Sequence, residues 1–443
     1  MRYANFCDVG RTSVNIGDYL QFLAIAYLYE QMGIQERDIH YIGLRDIIDY
    51  DGEDIVLPIN FSINNCIING KIAISPRITP VFLAVLLPTL DSYLDIDRFL
   101  QDEHNHAYFL RYAPIGCRDE VSYHYFKRHG IPAYINGCLT AVFPKCKEPA
   151  DGSVIFADAP KSVLPWIPTQ ILDSDVLFTT QQYVFHEDEI KDYKNLFRFV
   201  KSKYEFYQKK ARLIITSRLH VALPCTAFGI PVVLVKDKVD TRFSFIEKYI
   251  PIYNREHYQN INWFPAVPDI EPIKKKLINF AIERIKAAEA AAVCANNGSL
   301  LTSLFEAREK RLNYEDPHVV THKNAYRFEE YAEKYWKNKN GETIRYALWG
   351  ASTNNADYWK NLIETKFPNA KLTAVFDRHR KEQLLGLPIS SPDTLKDMDD
   401  ICVIVCAVGA TGDALALFQE LGLDKSRYCI VADCFVTQDD IRR

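Results

Sequence analysis

The chain has 443 residues, of which 48% are hydrophobic and 25% are charged, and its formal net charge is −4. This composition is typical of a soluble globular protein, and the length predicts about three domains. A slightly acidic chain without a basic arm excludes bulk electrostatic attraction to nucleic acid.

The eleven cysteines are scattered along the chain, and no two of them form a CxxC pair. A zinc site or a redox pair therefore has no support. The first residues lack a basic segment followed by an apolar run, and the longest apolar stretch, VFLAVLLPTL (81–90), is too short to span a bilayer. We expect a protein of the reducing cytoplasm.

Short apolar runs alternate with helical patterns along most of the chain, which favours parallel sheets covered by helices. In the first segment, residues 19–33 carry a helical apolar stripe and residues 38–44 form the next predicted strand. A further helix is predicted over about 119–129. The polar, proline-containing segment 144–152 predicts a boundary, so we place a first Rossmann-like half at 1–148.

A second Rossmann-like half is placed at 149–293. Its strands are predicted at 153–158, 175–180, 211–217 and 230–235, and its helices at about 187–209, 218–228 and 271–293. The last helix begins with a proline in its first turn, where a proline is well tolerated.

The remaining sequence is interpreted as a helical connector, 294–342, followed by a Rossmann-like module, 343–443. The strands of this module are predicted at 344–352, 371–377, 401–410 and 428–433. WGAS (349–352) and Asp377 stand in the order of a dinucleotide-binding fingerprint, but the three-glycine spacing is missing. We therefore favour a structural module over a cofactor site. A chain shortened to about residue 335 is then expected to fold and to bind its substrate.

The segment ITSRLH (215–220) joins a predicted buried strand to a helix. Ser217 is expected to cap the helix, which places Arg218, Leu219 and His220 in its first turn. Unpaired N–H groups and the helix dipole favour an anion there, Arg218 adds a planar cation, and His220 adds a group that exchanges protons near neutral pH. The alternative is a surface arginine beside a structural histidine. A cation at a helix N-terminus needs a compensating anion, which favours a site.

Two more strand-to-helix turns carry polar residues. One places Arg118 at the end of a strand, with Asp119 as the expected cap of the next helix; a surface ion pair is the alternative. The other is NIGD, in which Asn15, Gly17 and Asp18 form the turn. An Asp18 cap explains this turn without chemistry, whereas the glycine also permits close approach of a ligand.

Two weaker signals lie elsewhere. HNH places His104 and His106 on one face of a predicted strand, but no third ligand is near in sequence, so we do not expect a metal site. The loop FADAPKS (156–162) follows a predicted strand and could line the same cleft as the turns above.

Taken together, these turns resemble the polysaccharide pyruvyl transferase family over roughly residues 1–292. The resemblance is carried by NIGD (15–18), PIGCRD (114–119), GCLT (137–140) and SRLHVALPCTAFGIPVVLV (217–235). It implies an α/β fold in which a GT-B-like pair of Rossmann-like domains face each other across a cleft, with the acceptor on the first half and the donor on the second. The C-terminal Rossmann-like module lies outside it.

The resemblance also implies an activity, the transfer of the enolpyruvyl group of phosphoenolpyruvate to a sugar of a bacterial-type surface polysaccharide or its precursor as a pyruvate ketal. It assigns acid/base catalysis to His220 and the donor's phosphate and carboxylate to Arg118 and Arg218. The other substrate-binding residues that we expect are Ser217, Leu219, Lys238, Asn15, Gly17 and Asp18. Neither a cofactor nor a metal is expected.

Two alternatives stay open. A GT-B glycosyltransferase using a nucleotide-sugar would share the architecture, although no convincing ribose-binding glutamate follows SRLH. A non-catalytic binding protein with a vestigial cleft would not need the three polar turns. The sequence leaves open which sugar is the acceptor and whether it is lipid-linked. A lipid-linked acceptor would imply peripheral association with a membrane. Oligomeric state is equally open.

Overall fold

The structure is a computed structural model of the chain. It describes residues 2–7, 13–87, 95–146, 152–185, 192–294, 325–337, 339, 342–351, 353–378, 380, 383–436 and 441. Two compact units are present. The first contains the described residues up to Cys294 together with Phe435, Val436 and Ile441, and the second contains those from Ala325 to Cys434. The domain boundaries named above stay predictions.

The first unit is built from short strands that alternate with helices. Its strands are β1 Arg2–Phe6, β2 Ser13–Asn15, β3 Ile39–Ile42, β4 Ile55–Ile59, β5 Ile67–Ile68, β6 Lys71–Ile72, β7 Ile78–Phe82, β8 Ile115–Cys117, β9 Ala133–Ile135, β10 Ser153–Ala157, β11 Val176–Thr179, β12 Gln182–Val184, β13 Ala211–Thr216, β14 Val232–Val235 and β15 Ile252–Tyr253. Its helices are α1 Ile16–Gln31, α2 Ile96–Gln101, α3 Glu103–Arg111, α4 Glu120–Arg128, α5 Thr169–Leu172, α6 Tyr193–Lys210, α7 Leu219–Phe228 and α8 Glu271–Cys294.

Two larger sheets organise this unit, and both are parallel. One has the strand order β3-β1-β4-β7, and the other has the order β11-β10-β13-β14-β15. The prediction of an α/β fold with parallel sheets is therefore confirmed. The GT-B-like pairing of two halves stays a prediction.

The strands of the second sheet are buried on both faces. In β10, Ile155 and Ala157 contribute to one hydrophobic core, whereas Val154 and Phe156 contribute to another on the opposite face. The first of these cores also contains residues of β1, β4 and β7, so both sheets pack against it. Strands buried in this way need apolar residues at consecutive positions, which explains runs such as SVIFA and ARLIIT.

A short antiparallel strand pair connects the N-terminal segment to the segment that follows β11 of the second sheet. Strand β2 pairs with β12, with Asn15 opposite Gln182, and the N–H of Ile16 donates to the carbonyl of Gln181 at 2.9 Å. This pairing determines where α1 begins. It brings the start of α1 to the start of α7.

The second unit is a smaller α/β layer structure. Its strands are β16 Ile344–Trp349, β17 Ala370–Phe376, β18 Gln383–Leu384, β19 Leu387–Ser390, β20 Ile401–Val405 and β21 Tyr428–Ile430, and its helices are α9 Ala325–Tyr335, α10 Thr353–Lys366 and α11 Val408–Glu420. The sheet has the order β18-β19-β17-β16-β20-β21 and is parallel except for the β18–β19 pair. Separate cores cover its two faces. This arrangement is consistent with the Rossmann-like module predicted.

Some predicted elements differ from those observed. The strand predicted over 401–410 ends at Val405, and Val408 begins α11 instead. HNH lies in helix α3 and not in a strand. His104 and His106 each hydrogen-bond a different backbone carbonyl through Nε2, at 3.0 and 2.9 Å. Parts of three predictions lie outside the described residues: boundary residues 147–151, helix residues 187–191, and connector residues 295–324, 338, 340 and 341.

Candidate functional site

The turn between β13 and α7 differs by one residue from its prediction. Arg218, and not Ser217, is the N-cap of α7, and its backbone is extended. Thr216 Oγ1 accepts the N–H of Arg218 at 3.0 Å, so the hydroxyl at the end of the strand closes the turn. Ser217 instead donates through Oγ to the carbonyl of Asp158 at 2.6 Å. This hydrogen bond connects the turn to the residue that directly follows strand β10.

Asp158 and Phe435 hold the Arg218 side chain. Arg218 Nε donates to Asp158 Oδ2 at 2.8 Å, and the two side chains are 12% and 1% exposed. Its guanidinium carbon lies 4.8 Å from the centroid of the Phe435 ring. Arg218 Nη2 is buried and has no hydrogen-bond partner among the described residues. A buried N–H donor without a partner costs about 1–3 kcal/mol, so this group is suited to an anionic ligand.

His220 occupies the first turn of α7. Its Nε2 atom is buried and makes no hydrogen bond within the part of the chain that the structure describes. Burial, the guanidinium of Arg118 and that of Arg242 lower the pKa of His220 well below its usual range. The imidazole is therefore neutral at neutral pH and can accept a proton. Tyr204 fixes the backbone here, because its hydroxyl donates to the carbonyl of His220 at 2.5 Å.

The NIGD turn lies directly against this imidazole. A Cβ atom on Gly17 would lie 2.7 Å from His220 Cβ and 2.8 Å from His220 Nδ1, so only glycine fits. The expected cap is wrong: Asn15 caps α1 by accepting the N–H of Gly17 at 3.1 Å, whereas Asp18 lies in the first turn and is exposed. Because Asn15 takes the cap, Gly17 enters the helix and reaches His220.

Arg118 follows β8 and is 5% exposed. Its Nη2 donates to the carbonyl of Asn60 at 2.6 Å and to the side chain of Gln21, and its Nε has no partner among the described residues. The predicted cap on the following helix is confirmed, since Asp119 Oδ1 accepts the N–H of Ser122 at 2.7 Å. Burial raises the pKa of Asp119, against the opposing hydrogen bonds from Ser122.

Sequence reasoning missed Arg242, which lies in the loop after β14. Its Nε and Nη2 donate to both carboxylate oxygens of Asp240, at 2.7 and 2.8 Å, and Lys236 lies 3.7 Å from the same carboxylate. Burial lowers the pKa of Arg242, but the hydrogen bonds to Asp240 and the charge of Asp240 raise it by more, so the net shift is upward. The signal was available, because this loop also follows a parallel strand. Lys238, the residue predicted in this loop, is exposed.

The structure thus brings together most of the predicted residues. Gly17 contacts His220, and the charges of Arg118 and Arg242 act on its imidazole. Leu219 is half-buried and packs against the main core of the first unit. The two arginines have buried N–H groups that find no partner in the described segments, and these groups can bind an oxyanion while the neutral histidine transfers a proton.

Two kinds of feature are absent from the described residues. No helix in these segments is long and apolar enough to cross a membrane. No group of three or more His, Cys, Asp or Glu side chains in the same segments is arranged to hold a metal ion.

Comparison with known proteins supports the family resemblance. Residues 101–237 match the family model of polysaccharide pyruvyl transferase, and this segment contains Arg118, Arg218 and His220. No curated protein matches the chain significantly. One similar solved structure is a functionally uncharacterized protein from Klebsiella pneumoniae subsp. pneumoniae NTUH-K2044, with 13% identity, coverage of 55% of this chain and 88% of that chain, and a TM-score of 0.33. That score is too low to support a conclusion about fold or function.

Proposed function

We propose that this protein transfers the pyruvyl group of phosphoenolpyruvate to two hydroxyls of a sugar, with release of phosphate and formation of a pyruvate ketal. One observation carries the proposal: Arg118 and Arg218 keep buried N–H groups that have no partner among the described residues, in the unit that holds the neutral His220. The family match over 101–237 supports the same reaction class.

The charges of the site suit this donor. Phosphoenolpyruvate carries a phosphate and a carboxylate, and a guanidinium binds either of them through charge-assisted hydrogen bonds. Arg118 and Arg218 are each held by fixed protein groups, Gln21 and Asn60 in one case and Asp158 in the other. Preorganised cations of this kind stabilise charge that develops on the leaving phosphate without reorganising during the reaction.

The proposed reaction needs two proton transfers. A sugar hydroxyl oxygen forms a bond to C2 of the donor, and the methylene carbon C3 becomes a methyl group by taking up a proton. Neutral His220 can accept the hydroxyl proton and return it to C3 as the imidazolium. A second hydroxyl then displaces phosphate at C2, and its proton leaves with the phosphate. The sum is diol plus phosphoenolpyruvate to ketal plus phosphate, and a positioned acid/base group contributes roughly 10²–10⁴-fold to such a rate.

We further propose a cytoplasmic enzyme whose acceptor is a sugar of a bacterial-type surface polysaccharide or its precursor. The cysteines of the described segments other than Cys294 are free thiols, which fits a reducing compartment. The match to polysaccharide pyruvyl transferases supports the sugar acceptor.

Donor choice is tested by thermal denaturation. A ligand that binds only the native state raises the melting temperature, so phosphoenolpyruvate should raise it and UDP-sugars should not. Purified protein is then incubated with phosphoenolpyruvate and a panel of sugar acceptors while phosphate release is followed, with His220→Gln as the inactive control. A thermal shift with a UDP-sugar and none with phosphoenolpyruvate would instead favour a glycosyltransferase.

A further inference from the structure

The chain returns to the first unit after it has completed the second. Residues from Ala325 to Cys434 belong to the second unit, but Phe435 and Val436 pack in the first. Phe435 forms an antiparallel bridge with Pro160, and the N–H of Val436 donates to the carbonyl of Ala159 at 2.8 Å. These contacts place the returning segment on the loop that follows β10.

Apolar packing anchors this segment. Val436 is 5% exposed and belongs to the same core as Val154 and Phe156 of β10, and Ile441 packs against that core. Removing such a side chain from water stabilises the packed position of the segment. Phe435 is therefore held at a defined position by its neighbour in sequence.

The guanidinium of Arg218 has two neighbours, the Phe435 ring and the Asp158 carboxylate. The ring lies 4.8 Å from the guanidinium carbon of Arg218, within the range of a cation–π contact. Asp158 takes the Nε–H, while Nη2 has no partner in the described part of the chain. A cation–π contact uses no N–H hydrogen bond, so it leaves Nη2 available for an anion.

We infer that Phe435 is a positioning residue for the anion site, in that its ring and the Asp158 carboxylate together orient Arg218 toward the donor. The inference rests on the proposed function for the identity of the donor. Phe435 lies outside residues 101–237, so the match to the family model assigns it no role. A chain segment that follows the second unit thereby completes a site in the first.

The test compares Phe435→Leu, which keeps apolar bulk, with Phe435→Tyr, which keeps the aromatic face. Phe264→Leu is the matched control, because Phe264 is 62% exposed. We expect Phe435→Leu to raise the Kd and KM for phosphoenolpyruvate about 3- to 10-fold, as befits a contact of this kind, with little change in kcat. Phe435→Tyr and the control should stay close to the wild type. If the leucine variant does not fold, Phe435→Met takes its place under the same criteria.

A second measurement does not depend on the donor. Phenylglyoxal modifies accessible arginines, and peptide mass spectrometry follows Arg218 with Arg118 as the internal standard. Phe435→Leu should speed the modification of Arg218 and leave that of Arg118 unchanged. Unchanged modification of Arg218 overturns the inference, even if the wild type binds no phosphoenolpyruvate and the proposed function fails.

The donor measurements separate the remaining outcomes. If the wild type binds phosphoenolpyruvate and Phe435→Leu binds it equally well, the inference fails and the proposed function stands. Tighter binding by the leucine variant also overturns the inference, because the ring would then obstruct the anion.

Discussion

The contact between Gly17 and His220 allows a sharp test of the candidate catalytic residue. In a Gly17→Ala variant the new Cβ would lie 2.7 Å from His220 Cβ, whereas carbon atoms in good contact are about 3.5–4.0 Å apart. Because His220 Cβ is attached directly to the backbone, a change of rotamer cannot relieve this contact. The starts of α1 and α7 must therefore separate by about 0.8 Å, which carries the imidazole with them.

A displacement of about 1 Å in a reacting group can reduce turnover about 10²-fold, so we expect Gly17→Ala to lower kcat by roughly 10- to 100-fold. Donor affinity should change less, because Asn60 and Asp158 hold Arg118 and Arg218 from outside both helices. The assay is steady-state phosphate release with calorimetric measurement of donor binding. Gly412→Ala in α11 is the matched control, since nothing lies within 4 Å of its new Cβ and alanine favours a helix.

Two results would refute this reasoning. A Gly17→Ala enzyme with wild-type kcat and melting temperature would mean that the position of the imidazole does not matter for turnover. An equal loss of activity in Gly412→Ala would show that the effect is unrelated to the site.

Four further predictions address the same unit. Arg218→Lys should weaken donor binding, whereas His220→Gln should leave donor affinity nearly intact and lower turnover by about 10²-fold or more; a folded His220→Gln enzyme with normal turnover would end the catalytic assignment. Arg242→Gln removes a cation that disfavours the protonated form of His220, so the pKa of His220 should rise. The acid limb of the pH profile of kcat/KM should then move to higher pH, and a limb at the wild-type position would contradict this electrostatic account. Asp158→Asn leaves the largely buried guanidinium of Arg218 without its carboxylate, while asparagine tolerates the φ of 54° at this position. Denaturant unfolding should show that the free energy of unfolding falls by about 3 kcal/mol, and a change near zero would argue against the ion pair. Shortening the chain to residue 335, which sequence alone suggests is harmless, removes residues that pack in the first unit and should weaken donor binding in calorimetry; an unchanged Kd would contradict this.

Much of the local structure was predictable because consecutive apolar residues and turn residues act over short distances. The runs SVIFA and ARLIIT form buried parallel strands. Asp119 caps its helix as expected. The strand predicted over 401–410 was too long, because an apolar run continues from β20 into a helix and periodicity over so few residues does not distinguish the two.

The site was predictable in its residue types but not in its partners. A strand-to-helix turn with an arginine and a histidine indicates an anion site wherever the fold places it. Arg242 was missed because its link to His220 crosses from the loop after β14 to the start of α7. The caps of both turns were misplaced, because long-range contacts decided them: Ser217 donates to the carbonyl of Asp158 instead of capping α7, and Asn15, which pairs with Gln182 of β12, caps α1.

By itself, the sequence determined the α/β class, the strand-to-helix turns that carry Arg118, Arg218 and His220, and the resemblance to polysaccharide pyruvyl transferases, because each of these depends on residues close together in the chain. Only the tertiary structure decided that Gly17 lies against His220 and that Phe435 lies against Arg218. Those pairs are separated by some two hundred residues. Their meeting depends on how whole sheets and helices pack, and no local pattern encodes that packing.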